Sequence, residues 1–419
     1  MSNDTVVIGA NAADMTEVAT RLAAVCDMIE EHRKSGTAIC VRRATAICAM
    51  INDVAAAAAE GRPTTTGSGD GRKRPRMESA CSYEEVDELG VGLSGFVVRG
   101  RHRATGEDVA LKSLHREGCG VGGGIGRLLR EACFMAAFRG HPFLVALRGV
   151  VRVPGVAADG DDDDDYSLVM DYVGPSLLDV LRARGRPFTE PNVRVAMRQL
   201  LAGAEAMHRH RIVHRDIKSE NILVAVGGGA VSVRICDFGS AKSTAEQSPP
   251  GQIAGTMEYM APEVLVRNAD HGVPADAWSL GCVMAELLTR ELPFRGEDMA
   301  DQLREIFDVL GVPDERAWEA MRPRVLAGEV KQWRAQKRRV GHGNRLRELI
   351  PEEVLSDDGF EVLKGLLTCD PEKRMTAAAA LRCAWFADMV EDACVCVPAA
   401  SAVSMIDATG KRGHLLGVR

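Results

Sequence analysis

His214-Arg215-Asp216-Ile217-Lys218-Ser219-Glu220-Asn221 is the stretch on which the reading of this 419-residue chain turns. Asp216 can accept or orient the proton of a hydroxyl. Lys218, two residues on, can neutralise a phosphoryl group in transfer, and the amide oxygen of Asn221 can bind a hard cation. Working outward, Asp237-Phe238-Gly239 follows a predicted strand and sets a carboxylate for a divalent cation beside a glycine hinge. Upstream, residues 89–97 (LGVGLSGFV) form a glycine-rich strand–turn–strand. There the chain can bend tightly and bring backbone N–H groups close to phosphate oxygens. Val109-Ala110-Leu111-Lys112 ends an apolar strand in an ammonium, which would be costly there without an anion nearby. Glu131, on the helical segment 128–132, can supply that anion. Downstream stand residues 255–263 (GTMEYMAPE) and then Asp276-Ala277-Trp278-Ser279-Leu280-Gly281.

Composition sets outer bounds. With 46% hydrophobic residues the chain can bury a core, and a formal net charge of −7 argues against a protein whose main work is coating nucleic acid. No run of eighteen apolar residues occurs, so no membrane span is expected. The first residues lack a basic stretch followed by an apolar one, so no signal peptide is read. Twelve cysteines without paired CxxC spacing read as free thiols in a reducing compartment. Of the 52 basic residues only ten are lysine. Two of these are Lys112 and Lys218, where an ammonium beside a phosphate differs chemically from a guanidinium.

Along the chain, residues 1–60 are Ala-rich with apolar residues at helical spacing and predict a helical extension, two amphipathic helices in a hairpin. Residues 61–82 are a Gly/Pro/Ser/Thr linker holding Arg72-Lys73-Arg74-Pro75-Arg76, which reads as a nuclear import signal or as a solvated charge run. From Tyr83 short β-like runs take over, with a turn at Thr105-Gly106 and an acidic loop ending in Asp161 to Asp165. From about residue 190 helical patterns dominate. The fold class expected is α+β with two lobes, a β-rich one over 83–173 and a helical one over 174–386, followed by a loose tail over 387–419.

Six motifs in this order make residues 83–386 resemble a eukaryotic protein kinase. The resemblance implies ATP and Mg2+ as cofactors and protein hydroxyls as acceptors. It implies that Leu89, Gly90, Gly92, Gly95 and Val97 cover the nucleotide, with Ala110 on the adenine and Leu223 as its floor. Lys112 would contact the α/β-phosphates and pair with Glu131, and Asp171 to Val173 would form the hinge after a gatekeeper at Met170. Asp216 would be the catalytic base and Lys218 would steady the γ-phosphate, while Asn221 and Asp237 would hold the metal. Glu263 resembles the buried acid that pairs with Arg374, and Met135, Leu147, His214 and Phe238 match an apolar stack that aligns active kinases. Lys218 fits serine/threonine rather than tyrosine specificity.

Residues 301–315 and 357–386 resemble the cyclin-dependent kinase (CMGC) group, in a plant-type cyclin-dependent-kinase-like form. Four departures bear on that branch. The helix before Glu131 reads GGGIGRLLRE rather than a PSTAIRE-like sequence, which argues against a cyclin grip, so cyclin stays open as a partner. Met260 stands where the group has an Arg that shapes the pocket for proline after the phosphosite. Gly251 falls at the activating Thr position, with Ser248 the nearest substitute and Ser243 and Thr244 further ones. Leu93-Ser94 replaces Thr-Tyr in the glycine-rich loop, which excludes inhibitory tyrosine phosphorylation there. Localisation is expected to be nuclear, cytoplasmic or both. A scaffold that binds partners without transferring phosphate is the rival reading, and none of the catalytic groups it would be expected to lack is missing.

Overall fold

The computed structural model describes residues 79–92, 95–113, 123–138, 140–153, 165–227, 230–245, 253–266, 272–321, 323, 325–340, 344–387 and 389. The expected helical extension, the basic linker, the acidic loop up to Asp164, Leu93-Ser94, Ser248, Gly251 and the C-terminal tail lie outside the described residues, apart from the last residues of the linker and the first of the tail. The chain divides into two compact units between Tyr172 and Val173, one residue ahead of the expected division.

The first unit is built on a five-stranded antiparallel sheet in the order β1-β2-β3-β5-β4. The strands are β1 (Tyr83–Gly92), β2 (Gly95–His102), β3 (Asp108–Ser113), β4 (Leu147–Val153) and β5 (Asp165–Asp171). Gly106, at φ +73°, closes the expected turn between β2 and β3. Strand alternation sends Val109, Leu111, Val151 and Val169 into one apolar cluster, against which Tyr83 and Val98 pack. Ala110 and Lys112 therefore share the opposite face. Helix α1 (Gly123–Ala137) packs against β4 and β5 through Leu128, Leu129, Ala132 and Met135, all buried.

The second unit is helical, with α2 (Leu177–Arg184), α3 (Glu190–Arg209), α4 (Pro262–Leu265), α5 (Val273–Thr289), α6 (Met299–Leu310), α7 (Glu315–Ala320), α8 (Ala327–Val340), α9 (Leu346–Leu349), α10 (Asp357–Leu366) and α11 (Ala377–Ala380). Helix α5 is mostly apolar and buried from Ala275 to Leu288, as a central helix must be, with Asp276, Ser279 and Glu286 as its buried polar groups. It packs on α3 and α10. A Cβ on Gly281 would lie 2.8 Å from Leu367 Cδ2, so only glycine allows that approach. Two small antiparallel pairs complete the unit: β6 (Ile212–Val213) with β9 (Lys242–Ser243), and the hairpin of β7 (Ile222–Gly227) and β8 (Ala230–Ile235).

Two side-chain clusters tie distant parts of this unit together. Arg374 and Glu263, both buried, form a bidentate pair at 2.6 and 2.8 Å, and Arg374 also donates to the carbonyls of Pro274, Thr368 and Cys369. At the start of α3, the Glu190 carboxylate accepts from the backbone N–H of Ser356 at 3.0 Å, from the Ser356 hydroxyl and from Trp385 Nε1 at 2.7 Å.

Candidate active site

Within the first unit, antiparallel register places Val97 opposite Lys112 and Ala110 opposite Met170. Lys112 Nζ donates to both carboxylate oxygens of Glu131 at 2.8 Å, and both residues are buried. Two buried opposite charges this close compensate each other's lost hydration only when the geometry is good, and a symmetric bidentate contact meets that condition. Leu89 lies at an irregularity in the β1–β2 pairing, Gly90 pairs with Val97, and Gly92 pairs with Gly95 at the mouth of the hairpin. A Cβ built on Gly90 would meet nothing within 4 Å. The fold itself does not demand glycine there, which leaves open space for a ligand to approach the backbone. Asp171 ends β5, and its carboxylate accepts from Arg148 Nε at 2.8 Å.

In the second unit the loop after β6 holds the acid–base chemistry. Asp276, buried on α5, accepts the backbone N–H groups of His214 at 2.8 Å and Arg215 at 2.9 Å. Those bonds fix Arg215 in the left-handed region at φ +69°, an unfavourable conformation for a residue with a Cβ. His208 Nε2 lies 2.9 Å from the same carboxylate. Burial alone would push the Asp276 carboxyl up, but the hydrogen bond and charge of His208, with His214 and its N–H, outweigh that and hold it below the usual range. His214 Nδ1 accepts from the Asp216 N–H at 3.3 Å, so its Nε2 is the protonated nitrogen, donating to the Cys236 carbonyl at 3.0 Å. His214 is fully buried, edge-on to Phe238 with ring centroids 5.2 Å apart.

Asp216 is engaged on both oxygens. Thr256 Oγ1 donates to Oδ1 at 2.8 Å, while Asn221 Nδ2 lies 3.2 Å and Lys218 Nζ 3.4 Å from Oδ2. Lys218 Nζ also donates to Thr256 Oγ1 at 2.7 Å. Asn221 Nδ2 further donates to the Asp216 carbonyl at 2.9 Å. With its amide nitrogen committed to these acceptors, Asn221 turns its oxygen the other way, as a cation ligand requires. The Cys236 N–H donates to the Asn221 carbonyl at 2.9 Å, which pins the strand end before Asp237 to this loop. Asp237 sits at φ +62° and accepts from the Gly239 N–H. Leu223 lies on β7, opposite Arg234 and bridged to Ser176. Val173 opens the second unit.

The residues named from sequence thus fall into two sets: Lys112, Glu131, Val97, Ala110 and the glycines in one unit, and Asp216, Lys218, Asn221, Asp237 and Leu223 in the other. Thr256 is the member that spacing missed. The signal available was the Gly255-Thr256 step, because Gly255 sits at φ +106° with a would-be Cβ 2.4 Å from the Arg215 carbonyl oxygen. No helix among the described residues is long and apolar enough to cross a membrane. The six described cysteines are all free.

Comparison with known proteins agrees with this geometry. Residues 83–386 match the protein kinase domain family. A rice protein (Oryza sativa subsp. japonica) named as a cyclin-dependent kinase F-2 is 43% identical over 312 residues, covering 73% of this chain and 90% of its own. Cyclin-dependent kinase 4 of Bos taurus is 35% identical over 72% of this chain and 94% of its own. Cyclin-dependent kinase G-2 of rice (Oryza sativa subsp. indica) is 35% identical over 74% of this chain, which spans only 42% of that longer protein. The chain belongs to the protein kinase family, and within it is a serine/threonine kinase of the cyclin-dependent-kinase-like type.

Proposed function

We propose that this kinase transfers the γ-phosphate of ATP to protein serine and threonine hydroxyls, with Mg2+. Bound Mg-ATP supplies the phosphoryl group and neutralises part of its charge. The residues fit such a ligand. The space over Gly90 admits a phosphate, and Lys112, held rigid by Glu131, offers the ammonium for it. No group of three or more His, Cys, Asp or Glu among the described residues is placed to hold a metal by itself. A site of one amide oxygen and one carboxylate, Asn221 and Asp237, suits Mg2+, which takes its other ligands from phosphates and water. Asp216 holds the acceptor hydroxyl and takes its proton, and Lys218 balances negative charge beside it. The observation that carries this reading is the Asp216 carboxylate held by Thr256, Lys218 and Asn221. Transfer of radiolabelled phosphate to basic protein substrates tests it, with cyclins and an upstream activating kinase supplied. Wild-type transfer above an Asp216→Asn control is expected, and equal counts would overturn it.

Met260 lines a small cavity with Asp216, Thr256 and Val264. An apolar wall there supports acceptance of apolar residues after the phosphosite rather than a strict demand for proline, which a peptide library would read directly. The basic run 72–76 is proposed as a nuclear import signal in control of transcription or the cell cycle. Changing it to Ala in a tagged protein should abolish nuclear signal.

A further inference from the structure

We propose that Ser219 is a positioning residue whose hydroxyl, through the buried carboxylate of Glu286, ties the catalytic loop to the segment carrying Thr256 and Tyr259. Ser219 is fully buried, at 0% exposure, in the short turn Ser219–Asn221. It stands between Lys218 and Asn221, the two residues of this loop that reach the Asp216 carboxylate. Its Oγ donates to Glu286 Oε2 on α5. Tyr259 Oη donates to the same oxygen at 2.8 Å. Tyr259 ends the turn Met257–Tyr259, and its N–H donates to the Thr256 carbonyl at 3.0 Å. Its own carbonyl accepts from Ser279 Oγ, one further bond to α5.

Glu286 has no ion-pair partner among the described residues, although it is buried. A buried carboxylate in this position is held by its hydrogen bonds, and each lost donor is felt strongly. One oxygen with two hydroxyl donors from two separate chain segments makes those segments' positions interdependent. If Ser219 lets go, the loop bearing Lys218 and Asn221 loses this tie to α5 and can shift relative to Thr256, whose segment Tyr259 and Ser279 still hold. The role lies in alignment: Ser219 touches neither the metal ligands' oxygens nor the Asp216 carboxylate.

The ionisable groups facing Glu286 are Tyr259, Glu220 on the same loop, Cys282 one turn earlier on α5, and Arg295 beyond it. Burial pushes the Glu286 carboxyl up, the Ser219 and Tyr259 hydroxyls pull it down, Glu220 pushes it up and Arg295 pulls it down. Removing the Ser219 hydroxyl leaves the other influences in place. The carboxyl must then rise, and the ionised form that accepts both hydroxyls is lost at a higher pH.

This inference rests on the phosphoryl-transfer reading, and the full-length chain tests both separately. Ser219→Ala should lower kcat for a peptide acceptor about tenfold, with KM for ATP unchanged. It should also move the acid limb of the kcat/KM profile to higher pH. Tyr259→Phe, which keeps the ring, should move that limb in the same direction and serves if Ser219→Ala folds poorly. The Ser219→Ala/Glu286→Gln double variant should be no slower than Glu286→Gln alone. A wild-type chain that transfers no phosphate overturns the catalytic reading itself. An active wild type with the acid limb unmoved in both variants, or with losses that multiply in the double variant, overturns the role of Ser219 alone.

Discussion

Glu263→Gln is the substitution whose cost the structure fixes best. Arg374 has no exposed side-chain surface, and its guanidinium makes five hydrogen bonds: two to Glu263 and one each to the carbonyls of Pro274, Thr368 and Cys369. Its Cζ also lies over the Trp278 ring, 5.1 Å from the ring centroid. Glutamine preserves the shape but leaves a buried cation with dipoles only. Removing one partner of a buried pair costs about 3–5 kcal/mol, because the remaining charge cannot regain its hydration. At about 2–4 °C per kcal/mol for a unit of this size, melting should fall by roughly 6–20 °C. Glutamine should lie near the lower end, since its oxygen still accepts one bond, and Glu263→Ala near the upper. Scanning calorimetry of the full chain measures this. The Glu263→Leu/Arg374→Met double variant should cost less than the two single losses added together. A Glu263→Gln protein that melts within about 2 °C of wild type, well inside the effect of one lost charge partner, would refute the reasoning.

Thr256→Val deletes the bonds to Asp216 and Lys218 while keeping the volume, so kcat should fall about tenfold or more with ATP affinity unchanged, and Thr256→Ser should recover most of it in steady-state kinetics. Lys112→Ala takes the ammonium from both oxygens of the buried Glu131 carboxylate, so both the melting temperature and the stabilisation by added nucleotide should drop in a thermal shift assay. Asp276 has a carboxyl held below its unfolded value, so its contribution to stability is complete above about pH 4 and is lost as pH falls through the folded value. Asp276→Asn should therefore flatten the fall in melting temperature below pH ~4, and an unchanged acid slope would count against the His208–Asp276–His214 arrangement.

Much of this was legible in the sequence where chemistry is local. Lys218 and Asn221 lie two and five residues from Asp216, so spacing alone suggested that they act together. Val109-Ala110-Leu111-Lys112 announced a buried strand ending in a charge, and β3 has that form. Element ends were less legible. Helix α5 starts at Val273, three residues before the Asp276 that opens the sequence motif, because Pro274 is well suited to a first helical turn. What stayed hidden were hydrogen bonds across long separations. Thr256 reaches Asp216 over 40 residues and Ser219 reaches Glu286 over 67, distances at which no periodicity or motif spacing carries information. Asp276 was visible as part of a motif, yet its task of holding a left-handed Arg215 requires the fold.

The Glu190 carboxylate has a practical corollary for anyone trimming this polypeptide. It fastens the first residue of α3 to Ser356 and to Trp385, 166 and 195 positions later. Burial pushes the Glu190 carboxyl up, and the donors from Ser356 and Trp385 pull it below its usual range, so they hold it as an anion. The last strap of the helical unit is therefore an indole N–H almost at the edge of the matched region. A version ending a few residues beyond Phe386 retains that strap, whereas one stopping at Arg382 removes the buried indole and its bond to Glu190. The shortest useful length of this kinase is set by a single buried tryptophan.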